Sequence, residues 1–145
     1  MSIYKEILLY YDGTREGREA LSYGANLSMV LGAKVHLISV FDLRASIVDS
    51  LGIVSELAWY QFEQNAQHIL QEGTDWLTRW GIVVNGHLGY GTPVDEIVRA
   101  ATELGIDLVI IGHRHRGYLA RWWAGDGLSN LQDRLPCSVL SVKCP

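Results

Sequence analysis

A chain of 145 residues has the length of one compact domain and enough of it to bury a full core. With 48% hydrophobic and 19% charged residues it is neither disordered nor a coiled coil, and a formal charge of −4 disfavours a general nucleic-acid binder. The opening Met1-Ser2-Ile3-Tyr4-Lys5-Glu6 puts an acid where a secretory signal needs an apolar run, and no stretch of about twenty apolar residues occurs, so a soluble, cytoplasmic protein without membrane contact is expected.

The first apolar run, residues 6–11, reads as a strand that exits through Tyr11-Asp12-Gly13-Thr14. A helix over 15–31 follows, with Ala20, Leu21, Gly24, Leu27, Ser28 and Leu31 on one face and Gly32 as its C-cap. Strand two covers 34–41, and 42–52 reads as a long loop, a candidate lid. A long helix over 55–80 ends at Gly81, and Trp59, Tyr60, Phe62, Trp76 and Trp80 are expected on its packed face; exposed, they would mark a partner surface. Strand three is placed at 82–88. The next helix opens at Thr92-Pro93, an N-cap with proline at the first helical position, and closes at Gly105. Strand four covers 108–112, a short helix 126–135 is stopped by Pro136, and strand five covers 138–143.

Strands without strict alternation imply a sheet covered on both faces, and strands alternating with helices imply parallel pairing. The predicted fold class is α/β: a doubly wound open sheet of five parallel strands in a single domain spanning 1–145. Ligands of such sheets bind outside the carboxyl ends of the strands where the winding reverses. If strands one and four are neighbours, Asp12, Gly13 and Thr14 face Gly112, His113, Arg114 and His115 across that crevice, with Val40 and Gly91 as walls.

Cys137 and Cys144 lack Cys-x-x-Cys spacing, so no redox pair or zinc site is indicated, and Cys137 reads as a small core residue. No Gly-x-Ser-x-Gly, His-Glu-x-x-His or Gly-x-x-x-x-Gly-Lys-Ser/Thr occurs, so no catalytic activity is expected. His113 and His115 have no third metal ligand at a diagnostic spacing and read as solvated loop residues. Asp12 either reads a base or ribose edge or begins a turn with Gly13 and caps the first helix. Trp122-Trp123 either stacks on a base, forms a partner surface or closes its loop over the core.

Four segments, in order, carry a resemblance: Ile7-Leu8-Leu9-Tyr10-Tyr11-Asp12-Gly13-Thr14, Gly91-Thr92-Pro93-Val94-Asp95-Glu96-Ile97, Gly105-Ile106-Asp107-Leu108-Val109-Ile110-Ile111-Gly112-His113, and Pro136-Cys137-Ser138-Val139-Leu140-Ser141-Val142. Over essentially its whole length the chain resembles the universal stress protein family. The resemblance implies a flavodoxin-like, Rossmann-like sheet in the order 3-2-1-4-5, a homodimer joined through the fifth strand, and a role in stress response. Members that bind ATP carry Gly-x-x-Gly, nine residues, then Gly-Ser or Gly-Thr.

Counting forward from Gly112 and backward from Pro136-Cys137 places the late glycine at Gly125; His115 then replaces the second glycine and Asp126 the hydroxyl residue. A carboxylate about 5 Å from a phosphate charge, at an effective dielectric near 20, costs about 3 kcal/mol, roughly a hundredfold in affinity. Asp126 could also cap the following helix and occupy the N–H groups a phosphate would use. Against this, Arg114, Arg116 and Arg121 keep the loop attractive to anions. The residues support a dimeric stress-response protein acting through unidentified protein partners with a weakened adenine-nucleotide crevice, a nucleotide-responsive switch holding ATP or AMP, or, by fold analogy alone, a slow ATPase. Separately, the fifth strand lies at a sheet edge with Val139, Leu140, Ser141 and Val142 and only Lys143 to deter pairing, so an antiparallel partner across a two-fold axis is expected.

Overall fold

The computed structural model describes residues 3–42, 56–113 and 127–143. Nine elements follow in order among them: β1 (Glu6–Tyr10), α1 (Arg15–Leu31), β2 (Lys34–Phe41), α2 (Glu56–Arg79), β3 (Val84–Tyr90), α3 (Pro93–Leu104), β4 (Leu108–His113), α4 (Gly127–Arg134) and β5 (Ser138–Lys143). All neighbouring strands pair parallel in the order β3-β2-β1-β4-β5, the predicted doubly wound sheet. The long loop at 42–52 lies, apart from Asp42, outside the described residues.

Strand alternation divides the core. Ile7, Leu9, Tyr11, Leu37 and Ile110 point to one face and pack with Ala20, Leu21 and Ala25 of α1 and Leu77 of α2. Leu8, Tyr10, Ile38, Val109 and Ile111 point to the other and meet Ile97 and Ala101 of α3 and Leu131 of α4. The central strands are therefore apolar on both sides, which is why they read as continuous runs. α1 has the predicted bounds because both ends are chemically marked: Thr14 accepts a hydrogen bond from the Gly17 N–H at 3.1 Å, and Gly32, at φ 64°, sends its N–H to the Ser28 carbonyl. α3 repeats the device with Thr92 and Gly105.

Two expectations need correction. β3 runs over Val84–Tyr90 and not 82–88. Ile82 is buried, but its N–H bonds the Leu77 carbonyl at the end of α2, so it closes the helix before the strand begins. Trp76 packs against the core as expected, but Trp59, Tyr60 and Trp80 are not buried on the packed face. Ala66, Gly73 and Leu77 are buried there, with Ile69 and Leu70 beside them, whereas Trp59, Tyr60 and Trp80 are exposed and Trp76 and Phe62 half-buried. Small residues at helical spacing let α2 approach the sheet closely, which leaves Tyr60 and Trp80 outside that contact, while Trp76 packs on the core and Trp59 on Phe41.

The edges differ from the centre. β5 exposes Leu140 at 38%, while Val139 and Ser141 are half-buried and Val142, at 6%, packs into the chain's own core. Cys137 is half-buried, and burial pushes its thiol up, away from reactive thiolate character. Cys144 lies outside the described residues.

Candidate functional site

The pairing of β1 with β4 puts the winding reversal between these strands and brings their carboxyl ends together. At the β1 exit the chain turns through Gly13, at φ 82°, into the N-terminus of α1. The Asp12 carboxylate accepts from the Thr14 N–H at 3.1 Å and from the Thr14 hydroxyl at 2.5 Å. Asp12 thus makes the turn contact, and it holds the hydroxyl that caps α1. Burial is the main cause that raises its pKa above the ordinary carboxylate value; the Thr14 donors work against this, and the nearby Glu16 charge adds to it.

Glu16 was not singled out by the sequence, because an acid in the first turn of a helix reads as a solvated dipole partner. The structure buries it to 7% exposure. It also lies against the β4 exit. A Cβ on Gly112 would stand 2.2 Å from the Glu16 carbonyl oxygen and 3.3 Å from its Cβ. Gly112 therefore has a demonstrated packing duty, the close approach of β4 to α1, besides any part in admitting a phosphate.

Tyr11 anchors the floor below this turn. Its N–H bonds the Ile38 carbonyl at 3.0 Å, its carbonyl accepts from the Ser39 hydroxyl at 2.8 Å, and its hydroxyl donates to the Glu72 carboxylate of α2. Burial and that carboxylate push the phenol up to about 12. Arg18 Nη1 donates to the Gly13 carbonyl at 3.3 Å and places a cation beside the turn.

The β2 and β3 exits form the neighbouring wall. Val40 is half-buried beside the α3-side core and stands in register with Gly89. The Gly91 N–H bonds the Phe41 carbonyl at 3.1 Å, and Phe41 contacts Trp59 and Tyr90, with ring centroids 5.0 and 5.8 Å away. Glu96, 5% exposed, fills the space over Gly89 and Gly91. It accepts from the Tyr90 N–H at 3.1 Å and pairs with Arg99 at 3.1 Å.

Of the sequence-derived residues, the structure thus gathers Asp12, Gly13, Thr14 and Gly112 at one crevice, with Val40 and Gly91 at the adjoining exits. The His113 backbone stands in register with Lys143 on β5. Arg114, His115, Arg116, Arg121, Trp122, Trp123, Gly125 and Asp126 lie outside the described residues. No helix among the described residues is long and apolar enough to cross a membrane.

Comparison with known proteins agrees with this architecture. The model of the universal stress protein family matches residues 3–143. A universal stress protein of Methanocaldococcus jannaschii is 26% identical over 148 residues, covering 99% of this chain and 85% of that protein. Among solved structures, that of hypothetical protein MJ0577 has a TM-score of 0.80 at 24% identity, covering 99% of this chain and 98% of the other. A universal stress protein in complex with cAMP has a TM-score of 0.71 at 21% identity, with 98% of each chain covered. A family match over nearly the full length, joined to the observed strand order and glycine-bearing exits, settles the membership: the chain belongs to the universal stress protein family.

Proposed function

We propose that this protein is a regulatory, stress-response member of its family, a single domain that works in the cytoplasm mainly through protein contacts and holds adenine nucleotides weakly. The observation that carries this reading is the acidity of the crevice. Asp12 and the buried Glu16 lie at the junction of β1, α1 and β4, and burial together with the neighbouring carboxylate already disfavours the charged form of Asp12. A triphosphate brought to this junction adds negative charge where the protein has buried its own. The sequence supports the same conclusion on the loop that follows, where His115 and Asp126 stand at the motif's glycine and hydroxyl positions.

The proposed nucleotide contacts are Asp12, Gly13, Thr14, Val40, Gly91, Gly112, His113, Arg114, His115, Gly125 and Asp126. A second reading, a switch that holds AMP, ATP or a related nucleotide, is favoured by the similarity to the cAMP-bound universal stress protein. Nucleotide extraction separates the two. Freshly purified protein, denatured and analysed by anion exchange, should release no stoichiometric adenine nucleotide; release of one nucleotide per chain establishes the switch.

The proposed assembly is a homodimer through β5, with Val139, Leu140, Ser141 and Val142 at the seam. In its support, β5 is an edge strand with an exposed Leu140. Val142 contributes less than its apolar character suggests, since it is packed in its own core. Sedimentation at micromolar concentration should give a dimer that Leu140→Lys weakens; a monomer contradicts the proposal.

A further inference from the structure

Three polar side chains run diagonally across β1, β2 and β3. Leu8 stands opposite His36 and Ile38 opposite His87, so Glu6, His36 and His87 lie two residues apart in register from strand to strand. Alternation puts all three on the face of Leu8 and Ile38. There, His36 Nε2 is 2.9 Å from Glu6 Oε2, and His36 Nδ1 is 3.3 Å from His87 Nε2.

We propose that His36 and His87 form a chelating site for one divalent transition-metal ion of the tetrahedral zinc class, with Glu6 as its positioning residue. A tetrahedral ion with bonds of about 2.0–2.1 Å holds two imidazole nitrogens roughly 3.4 Å apart. The facing nitrogens already stand close to that separation, on backbone fixed by ladder hydrogen bonds, so an ion seated beside the line that joins them requires the two rings to rotate but no strand to move. Glu6 accepts a hydrogen bond from the His36 Nε2–H, which leaves the Nδ1 lone pair facing His87, the carboxylate–histidine–metal arrangement that orients ligands in such sites. Lys34 Nζ, 4.0 Å from Glu6 Oε1, leaves Oε2 to this task.

The protons balance. With Glu6 accepting from His36 Nε2, the ion-free pair requires His87 to donate from Nε2 to His36 Nδ1; with an ion, His87 carries its proton on Nδ1 and offers the Nε2 lone pair. Access is from the edge strand: Asn85 is exposed and His87 half-buried, whereas His36 is 8% exposed. Among the described residues no set of three or more His, Cys, Asp or Glu is arranged to hold a metal, so water completes the coordination and the affinity is that of a two-imidazole chelate.

The test is a calorimetric titration of the full chain with Zn²⁺ in a non-coordinating buffer, with imidazole ¹⁵N NMR on the same samples. One ion per chain should bind and shift the ring nitrogens of His36 and His87. His87→Asn should remove the binding, Glu6→Gln should weaken it about 10–100-fold, and the double variant His113→Asn/His115→Asn should leave it intact. If His87→Asn fails to fold, the wild-type ring resonances decide by themselves. Absence of saturable binding, binding that survives His87→Asn, or ion-induced shifts at His113 and His115 in place of His36 and His87 overturns the proposal.

Discussion

Two turns at the carboxyl end of the sheet begin alike and end differently. Asp12-Gly13-Thr14 leads from β1 into α1, and Tyr90-Gly91-Thr92 leads from β3 into α3; each has a positive-φ glycine and a threonine N-cap, and each buries a glutamate from the first turn or just beyond it. At the β3 turn, Glu96 accepts a backbone N–H and pairs with Arg99, so its charge is part of the structure. At the β1 turn, Asp12 is answered by the neutral donors of Thr14, and Glu16 adds a second negative charge nearby. The same local sequence device therefore yields a glutamate paired with Arg99 in one place and two neighbouring carboxylates, with Arg18 beside the turn, in the other. The latter lies at the winding reversal, where sheets of this class take their ligands.

The comparison breaks most sharply at the glycines. Gly112→Ala would drive a Cβ to 2.2 Å from the backbone oxygen of Glu16, and backbone cannot step aside as a side chain can. A loss of at least about 3 kcal/mol is expected. Gly89→Ala meets only the Glu96 stem, at 2.9 Å, and should cost less, about 1–3 kcal/mol. Urea denaturation of the two variants checks the order; equal losses would mean that α1 and β4 have slack. Loss of ligand binding in a Gly112 variant is accordingly no evidence of a phosphate contact unless the fold is shown to survive.

The threonine caps sharpen the contrast. Thr92→Ala removes one cap and should cost about 1 kcal/mol, independent of pH near neutrality. Thr14→Ala removes a cap and also strips Asp12 of its hydroxyl donor, so about 2 kcal/mol is expected at pH 7. Chemical denaturation should show the excess shrinking in acid, where Asp12 is protonated; a pH-independent difference would separate Asp12 from the cap.

Asp12→Asn should have the smallest stability effect, and of opposite sign. Because the folded-state value of Asp12 is raised, its favourable contribution is complete below the ordinary carboxylate value and is lost as pH rises through the raised one. The amide does not ionise, so the variant should match the wild type in acid and exceed it by less than about 1 kcal/mol at neutral pH. Parallel melting curves from acid to neutral pH decide this; a variant less stable at pH 7 would show that the carboxylate is needed charged.

Much of this was legible in the sequence where one physical cause acted alone. α1 and β2 have their expected bounds, since a cap pair and a doubly buried apolar run each leave a single reading. β3 was displaced because Ile82-Val83-Val84 looks like the heart of a strand, whereas the edge position admits Asn85, Gly86 and His87. Trp59, Tyr60 and Trp80 misled in the opposite direction: hydrophobicity suggested burial, and the closer fit of Ala66 and Gly73 left them exposed, while Trp76 packs on the core as expected. Within the crevice, Asp12, Thr14 and Gly112 could be found from strand exits and spacing. Glu16 could not, because its burial depends on β4 arriving beside α1. Nor could the Glu6–His36–His87 line, which exists only once the register across three strands is known.

The proposal that carboxylates weaken the crevice for phosphate-bearing ligands, Glu16 from within the described residues and Asp126 from the sequence motif, is put to the test by calorimetric titration of ATP into the wild type, Glu16→Gln and Asp126→Ser. Binding should be weak or undetectable in the wild type and tighter once a carboxylate is removed, by up to roughly a hundredfold for each full charge pair relieved. Tight stoichiometric binding by the wild type, left unchanged in both variants, would contradict it.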